Sequence, residues 1–196
     1  MELADVLAVV LTVTRALDEL AVPYLLGGSL ASSLHGIPRS TQDADLVVDL
    51  RFEHIRPLVA ALTPEFYIDA DRAADAVQRR ASFNVIHLAT MTKVDLFILK
   101  NDPLSTLEME RRQFVALPAP AGASLPVATA EDIVLQKLLW FRSGGEVSER
   151  QWLDLLGVLR VKRAELDLPY VERWATELGL DDLLSRALGP ADRADR

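Results

Sequence analysis

The chain has 196 residues, half of them hydrophobic, which is enough to bury a substantial core and argues against disorder over most of its length. Its formal net charge is -8 and its pI is near 4.9, so its surface repels phosphate backbones and general DNA binding is disfavoured. It has no cysteine, which excludes disulfides, thiolate zinc sites and cysteine nucleophiles.

The amino-terminal region predicts a soluble, cytoplasmic protein. Glu2 and Asp5 precede the apolar stretch 7–13, where a secretory signal would carry positive charge. No segment approaches the roughly 20 apolar residues that cross a bilayer, so we expect no membrane association. Apolar residues recur at helical spacing over residues 2–20, and this pattern predicts a first amphipathic helix that ends before Pro23.

The next segment predicts a strand, a tight turn, a short helix and a second strand. Residues 24–26 are a short apolar run that ends in Gly27-Gly28. Residues 29–35 favour a short helix that stops at Gly36. Residues 43–50, DADLVVDL, alternate in polarity and contain β-branched side chains, which is typical of a strand.

The middle of the chain predicts alternating helices and strands, and its end predicts helices alone. Further helices are expected at 52–62, 70–80, 102–111, 168–179 and 181–188. Further strands are expected at 66–68, 84–88, 93–99 and 114–117, with the second and third of these forming a hairpin.

Residues 118–130, with three prolines, predict a linker between two domains. We therefore expect one domain over residues 1–118, a helical domain over 119–190, and a disordered tail over 191–196. In the helical part, Thr129 with Asp132 and Ser148 with Gln151 resemble capping boxes.

Three aspartates are the candidate catalytic and metal-binding residues. Strand alternation places Asp43 and Asp45 on the same face, where two carboxylates repel one another. Asp95 is the only acidic residue in KVDLFILK, a run typical of a buried strand. A shared Mg²⁺ removes both conflicts, because magnesium prefers hard oxygen ligands. The alternative is that these are solvated aspartates at strand ends, as we expect for Asp49, which is predicted to cap the helix that begins near Arg51.

The Gly27-Gly28-Ser29 turn is a candidate phosphate-binding site. A strand followed by this turn and a helix brings free backbone N–H groups and the positive helix end to one place. An ordinary turn is the alternative. A serine nucleophile is disfavoured, because no histidine and acid partner follows Ser29 at a recognisable spacing.

These motifs together resemble those of the nucleotidyltransferase (polymerase β-like) superfamily. Residues 25–48, LLGGSLASSLHGIPRSTQDADLVV, resemble its glycine turn, short helix and Asp-x-Asp strand, and KVDLFI resembles its later carboxylate strand. The helical segment that follows resembles bacterial AbiEii-type and MNT-type members of toxin–antitoxin and phage-defence systems. The resemblance implies an α+β fold, with a mixed β-sheet flanked by helices in a catalytic domain over residues 1–118 and a C-terminal helical domain.

The resemblance also implies roles for particular residues. Asp43, Asp45 and Asp95 match the metal-binding carboxylates, which hold one or two Mg²⁺ ions, and the Gly27-Gly28-Ser29 turn matches the site for the nucleotide phosphates. Arg39 and Thr41 match commonly polar positions, and we expect supporting roles in nucleotide binding for them. The implied reaction transfers a nucleoside monophosphate from an NTP such as ATP to a hydroxyl of a protein, RNA or small molecule, with release of pyrophosphate.

Two further charged positions lie in the predicted C-terminal helices. Lys137 either extends along its helix to water or reaches into the cleft and binds the triphosphate. Asp154 lies four residues after Arg150, and this spacing predicts a surface ion pair.

Two other functions remain open from the sequence. One is a regulatory or antitoxin-like protein that keeps the fold and acts by binding a protein partner. The other is a structural metal site that binds no nucleotide.

Overall fold

The protein is described here from a computed structural model, which covers residues 3–39, 41, 43–117 and 122–189. Two compact units account for the described residues. The first comprises those within Met1–Leu30 and Ser40–Ala128, and the second those within Ala31–Arg39 and Thr129–Arg196. That these units are separate domains divided near residue 118 stays a prediction.

The first unit is built on a mixed sheet. Its strands are β1 (Tyr24–Gly27), β2 (Asp43–Val48), β3 (Phe66–Tyr67), β4 (Ser82–His87), β5 (Lys93–Ile98), β6 (Gln113–Ala116) and β7 (Ser124–Val127). Their order across the sheet is β3-β4-β5-β2-β1-β7-β6. The pairs β2–β5 and β1–β7 are parallel and the other neighbours are antiparallel. The expected α+β architecture is confirmed.

Helices α1 (Leu3–Glu19), α3 (Phe52–Leu62) and α4 (Ala70–Arg79) contact one another or the sheet. One face of α1 is fully buried, as the helical spacing in the sequence predicts, and it consists of Val6, Leu7, Val10, Val13 and Leu17. On β2 and β5, alternate residues are buried: Ala44, Leu46, Val94 and Leu96. Removing this apolar surface from water is the main stabilisation of the unit, at about 25 cal/mol per Å².

The region predicted as a linker is partly a strand, so that prediction is wrong for residues 124–127. β7 lies between β1 and β6 in the sheet. Pro126 in β7 has no backbone N–H and cannot donate a hydrogen bond to a neighbouring strand. The register with β1 instead joins Leu26 to Val127, beyond the proline, and the Ala128 N–H donates to the Leu26 carbonyl at 2.9 Å. Residues 118–121 lie outside the described part of the chain.

Two shorter helices join these strands. Helix α2 (Gly28–His35) follows β1 directly, and its last turn is closed by the Gly36 N–H, which donates to the Ser32 carbonyl at 2.8 Å. Helix α5 (Pro103–Arg111) begins after Asp102, whose carboxylate accepts from the backbone N–H of Ser105. Both helices occur where the sequence predicts them.

The second unit contains helices α6 (Ala130–Ser143), α7 (Glu149–Lys162), α8 (Leu168–Glu177) and α9 (Asp181–Leu188). The N-cap half of each predicted capping box is confirmed, because the side chains of Thr129 and Ser148 accept from the backbone N–H groups of Asp132 and Gln151. Within residues 3–189 as described, no helix combines the length and hydropathy that a membrane crossing requires. The predicted tail, 191–196, lies outside the described residues.

Candidate active site

Three aspartates lie on one face of the sheet. β2 and β5 are parallel neighbours in register, with Asp43 opposite Lys93 and Asp45 opposite Asp95. Register partners on adjacent strands point to the same side of a sheet, and so do residues two apart on one strand. Asp43, Asp45 and Asp95 therefore form what we call the carboxylate row, and their predicted placement on one face is confirmed.

The carboxylate row lies beside the start of helix α2. Gly27 ends β1 and is the register partner of Asp45, so the chain enters the helix next to this carboxylate. Gly28 has a φ of +60°, and a Cβ on it would lie 1.8 Å from Asp45 Oδ2 and 2.8 Å from Asp45 Cβ. Only a residue without a side chain allows so close an approach of backbone and carboxylate.

Replacing Gly28 with alanine is expected to destabilise the protein by more than backbone strain alone. A positive φ costs a non-glycine residue about 1–2 kcal/mol. Rotation of the Asp45 carboxylate cannot relieve the overlap, because the Cβ of Asp45 is itself too close. Gly145→Ala is the matched control, since Gly145 has a φ of +73° and open space around it. Urea unfolding should show a larger loss for Gly28→Ala, and equal losses would contradict the close packing.

Lys93 supplies a positive charge to the carboxylate row. Its Nζ lies 2.8 Å from Asp95 Oδ2 and 4.0 Å from Asp43 Oδ1. The hydrogen bond to Asp95 raises the pKa of Lys93 above its ordinary value, against the effect of burial, and the charges of Asp95, Asp43 and Asp45 add to the rise. The ammonium thus relieves the repulsion that directly opposed carboxylates would otherwise cause.

The donor chemistry of the carboxylate row fits a hard divalent cation. Carboxylate oxygens are the ligands that Mg²⁺ prefers. The row supplies three carboxylates from two adjacent strands, β2 and β5. In this structure the Lys93 ammonium group forms ion pairs with Asp95 and Asp43. Over the described ranges, no group of three or more His, Asp or Glu side chains is placed to hold a metal ion. The predicted Mg²⁺ site stays a prediction.

Solved structures of similar fold were found, whereas no protein-family profile and no curated protein sequence matches the chain. The antibiotic-resistance factor ANT(2'')-Ia aligns with a TM-score of 0.56 and 17% identity, covering 91% of this chain and 92% of its own. Its complex with adenylyl-2''-tobramycin aligns at 0.52 and 16%, covering 84% and 91%. An antigenic nucleotidyltransferase-like protein from Paracoccidioides brasiliensis aligns at 0.53 and 18%, covering 91% and 90%.

The chain has the nucleotidyltransferase fold. These alignments extend over at least 84% of the chain, so the likeness is not confined to one of the two units. The narrower resemblance to AbiEii-type and MNT-type proteins stays a prediction. On the nucleotidyltransferase fold of this chain, the carboxylate row and the start of α2 lie together, as the motifs predict.

The remaining residues of the predicted nucleotide site in the first unit lie close to these elements. Ser29 is half-buried in the first turn of α2. Thr41 precedes β2, and its hydroxyl donates to the Asp43 carbonyl at 3.0 Å, so it holds the backbone where the strand begins. Binding of a nucleotide by Gly27, Gly28, Ser29 and Thr41 stays a prediction.

Arg39 and Lys137 meet at one carboxylate in the second unit. Arg39 donates through Nε and Nη2 to the two oxygens of Asp154, at 2.5 and 2.8 Å. Lys137 Nζ donates to Asp154 Oδ2 at 2.8 Å and to Gln151 Oε1 at 2.9 Å, and it lies 5.5 Å from the Trp140 ring centre. We call Arg39, Asp154 and Lys137 the buried ion cluster.

The buried ion cluster corrects two expectations about these side chains. The Lys137 side chain is only 1% exposed, so of the two alternatives for this residue the one in which it extends to water is wrong. Asp154 is 4% exposed and binds Arg39 and Lys137, so the predicted surface pair with Arg150 is also wrong. Helical spacing shows which residues share a face but not which face another element covers. Binding of a triphosphate by Lys137 and Arg39 stays a prediction.

Burial and ion pairing act in opposite directions on Asp154. Burial alone would raise the pKa of its carboxyl group. The hydrogen bonds and charges of Arg39 and Lys137 outweigh burial and hold the pKa below its ordinary value. The ionised form of Asp154 is therefore the one that the folded protein stabilises.

The segment before Arg39 is fixed to helix α7 by close backbone packing. A Cβ on Gly36 would lie 2.7 Å from the Val158 nitrogen and 2.8 Å from the Gly157 carbonyl carbon. Arg39 then reaches Asp154 about one turn earlier on α7. The short segment that leads towards β2 is thus held at two points within the second unit.

Asp49 does not cap helix α3, so that prediction is wrong. The N-cap of α3 is Arg51, whose backbone N–H donates to His54 Nδ1 at 3.1 Å. Asp49 instead lies near the Arg51 guanidinium, with Oδ2 and Nη2 at 3.6 Å. The capping function is taken by a side chain one turn into the helix.

Two residues next to the carboxylate row were not identified from the sequence. Asn84 on β4 is the register partner of Asp95, so it continues the row towards the sheet edge. Lys93 is the register partner of Asp43. The available signal was the spacing of Lys93, two residues before Asp95 on the same strand face. Its partner across the strands depends on the β2–β5 register, which local sequence does not reveal.

Proposed function

We propose that this protein is a metal-dependent nucleotidyltransferase, which transfers a nucleoside monophosphate from an NTP to an acceptor hydroxyl. The observation that carries the proposal is the carboxylate row beside Gly28 at the start of α2. Phosphoryl transfer depends on charge neutralisation and on positioning of the phosphates. The row offers ligands for the cations and the helix start offers donors for the phosphates.

Gly27, Gly28 and Ser29 would bind the nucleotide phosphates. The first N–H groups of a helix have no carbonyl partner within it, and the helix dipole makes this end positive. Gly28 has no side chain between the backbone and the phosphate, and the Ser29 hydroxyl can donate a further hydrogen bond. Thr41, whose hydroxyl holds the backbone where β2 begins, would support nucleotide binding.

Asp43, Asp45 and Asp95 would hold one or two Mg²⁺ ions. Bound cations neutralise the charge that develops on the phosphates and on the departing pyrophosphate. The protein itself keeps the three carboxylates on adjacent strands, so little rearrangement of the backbone is required. Without cations the row repels a triphosphate, and we expect the nucleotide to bind weakly.

In the proposed reaction, the acceptor oxygen forms a bond to the α-phosphorus and the bond from that phosphorus to the bridging oxygen breaks. Pyrophosphate leaves with the electron pair of the broken bond. The hydroxyl proton passes to a basic group at the site, for which a carboxylate of the row is suited by position. The products are the nucleotidylated acceptor and pyrophosphate.

One of the solved structures of similar fold supports a first choice of acceptor class. ANT(2'')-Ia has been solved with adenylyl-2''-tobramycin, an adenylylated small molecule. We propose a small-molecule hydroxyl as the first acceptor to test, with ATP as the donor. Protein and RNA acceptors, as in a toxin–antitoxin or defence system, are the other classes.

The proposal is tested by incubating the protein with each of the four α-labelled NTPs, Mg²⁺ and a fractionated host lysate. We expect label to transfer to one acceptor fraction, with release of an equal amount of pyrophosphate. Both the transfer and the release should stop when EDTA removes the Mg²⁺. Label in the small-molecule fraction would identify the first acceptor class, and label in protein or RNA would replace it. No transfer with any NTP, together with stoichiometric capture of a protein partner, would contradict the proposal and favour a regulatory role.

A further inference from the structure

Lys93 places an ammonium group beside the carboxylate row. It is the first residue of β5, on the same face as Asp95 two residues later and opposite Asp43 in register. Its Nζ is in hydrogen-bonding distance of Asp95 Oδ2, at 2.8 Å, and also faces Asp43 Oδ1 at 4.0 Å. One ammonium thus serves at least two of the three carboxylates.

The ammonium and a divalent cation would compete for the same oxygen. Mg²⁺ binds oxygen at about 2.0–2.1 Å, which is shorter than the distance from Lys93 Nζ to Asp95 Oδ2. A cation bound to Asp95 Oδ2 would therefore displace the ammonium group and replace its ion pair with this carboxylate. The row and Lys93 together carry three negative charges and one positive charge, so a net negative charge remains to attract a divalent ion.

We propose that Lys93 is an internal counter-ion that the divalent cation must displace, so that this side chain couples metal binding to nucleotide binding. The inference rests on the proposed function, because it takes the carboxylate row as the metal site. Lys93 is a positioning residue in this account, since it acts through the carboxylates.

The coupling follows from where the displaced ammonium can find a new partner. Lys93 has a flexible four-carbon stem and is 37% exposed, so its ammonium can move away from Asp95 without a change in the backbone. In the absence of nucleotide, the Lys93 ammonium group loses Asp95 as its partner when a cation binds. The triphosphate supplies a new anionic partner at the same site, so each ligand strengthens the binding of the other, and by linkage the effect is reciprocal.

The test is a calorimetric titration of the full chain with Mn²⁺, with and without a non-hydrolysable ATP analogue. Without nucleotide, Lys93→Met should bind Mn²⁺ roughly fivefold more tightly than wild type, the factor that corresponds to an ion pair of about 1 kcal/mol. The gain in Mn²⁺ affinity on adding the analogue should be smaller in Lys93→Met than in wild type.

Two further variants and one further readout separate this role from a purely structural one. Lys93→Arg keeps the charge and should behave as wild type, and Lys100→Met removes an exposed lysine beyond the end of β5 and should leave Mn²⁺ binding unchanged. Metal-free Lys93→Met should unfold at a lower temperature than metal-free wild type, and Mn²⁺ should remove this difference. Lys93→Gln replaces Lys93→Met if the latter does not fold.

Equal or weaker Mn²⁺ binding by Lys93→Met would overturn the inference, and so would a loss of thermal stability that Mn²⁺ does not restore. This failure is distinguishable from failure of the proposed function. If only the inference about Lys93 fails, wild type still releases pyrophosphate from an NTP. If the proposed function fails, wild type releases none, whatever the Mn²⁺ affinities of the variants are.

Discussion

Asp45→Asn is expected to reduce the rate of pyrophosphate release by about a thousandfold, equivalent to about 4 kcal/mol of activation free energy. Asp45 is the residue of the carboxylate row that touches the start of α2, because its Oδ2 lies where a Cβ of Gly28 would be. Asparagine keeps the shape of the side chain and removes the negative charge. The loss should therefore appear in turnover, measured with labelled NTP, while the circular dichroism spectrum and the unfolding temperature stay close to wild type.

Asp49→Asn is the matched control for this variant. Asp49 lies just after β2, at an even spacing from Asp43 and Asp45 in the sequence. It is four residues beyond Asp45, however, and contacts Arg51. It should retain wild-type turnover. If Asp45→Asn and Asp49→Asn release pyrophosphate at the same rate as wild type, the carboxylate row does not perform the proposed chemistry.

Asp154→Ala is expected to lower the free energy of unfolding by about 3–5 kcal/mol, the usual cost of removing one partner from a buried ion pair. The change leaves Lys137, a fully buried lysine, without its carboxylate, and it also releases the guanidinium of Arg39. Urea unfolding at pH 7 measures the loss. Because the folded protein holds the pKa of Asp154 below its ordinary value of about 3.9, the contribution is present above that pH and is lost as the pH falls further.

The control is Asp182→Ala, which removes the partner of Arg142 in an ion pair at the surface. This variant should be nearly as stable as wild type, since water solvates both charges. The double variant Lys137→Met/Asp154→Ala should recover part of the loss, because the buried ammonium group that lost its carboxylate is then removed as well. A loss of similar size for Asp154→Ala and Asp182→Ala would contradict the assignment of Asp154 to a buried ion cluster.

The parts of the site that local sequence encodes could be predicted. The alternation DADLVV places Asp43 and Asp45 on one face, and a short apolar run before Gly27-Gly28 predicts a strand that turns directly into a helix. Asp95 was identified because a lone carboxylate in an apolar strand requires a partner. Each of these inferences uses only residues within one element, and the structure confirms the placement of each.

The parts that depend on contacts between distant segments could not be predicted. The role of Lys93 requires the register of β2 with β5, and the burial of Asp154 requires the packing of α6, α7 and the segment at Arg39. β7 was missed because Pro126 and a run of small residues are typical of a linker, and only pairing with β1 and β6 makes the segment a strand.

The most direct test of the central claim is a crystal structure of the protein with Mn²⁺ and a non-hydrolysable ATP analogue, with the metal located by anomalous scattering. The account predicts Mn²⁺ bound by carboxylate oxygens of Asp43, Asp45 and Asp95, and the triphosphate at the first N–H groups of α2 beside Gly28. Mn²⁺ at another place on the protein, or a triphosphate bound away from Gly28, would contradict it.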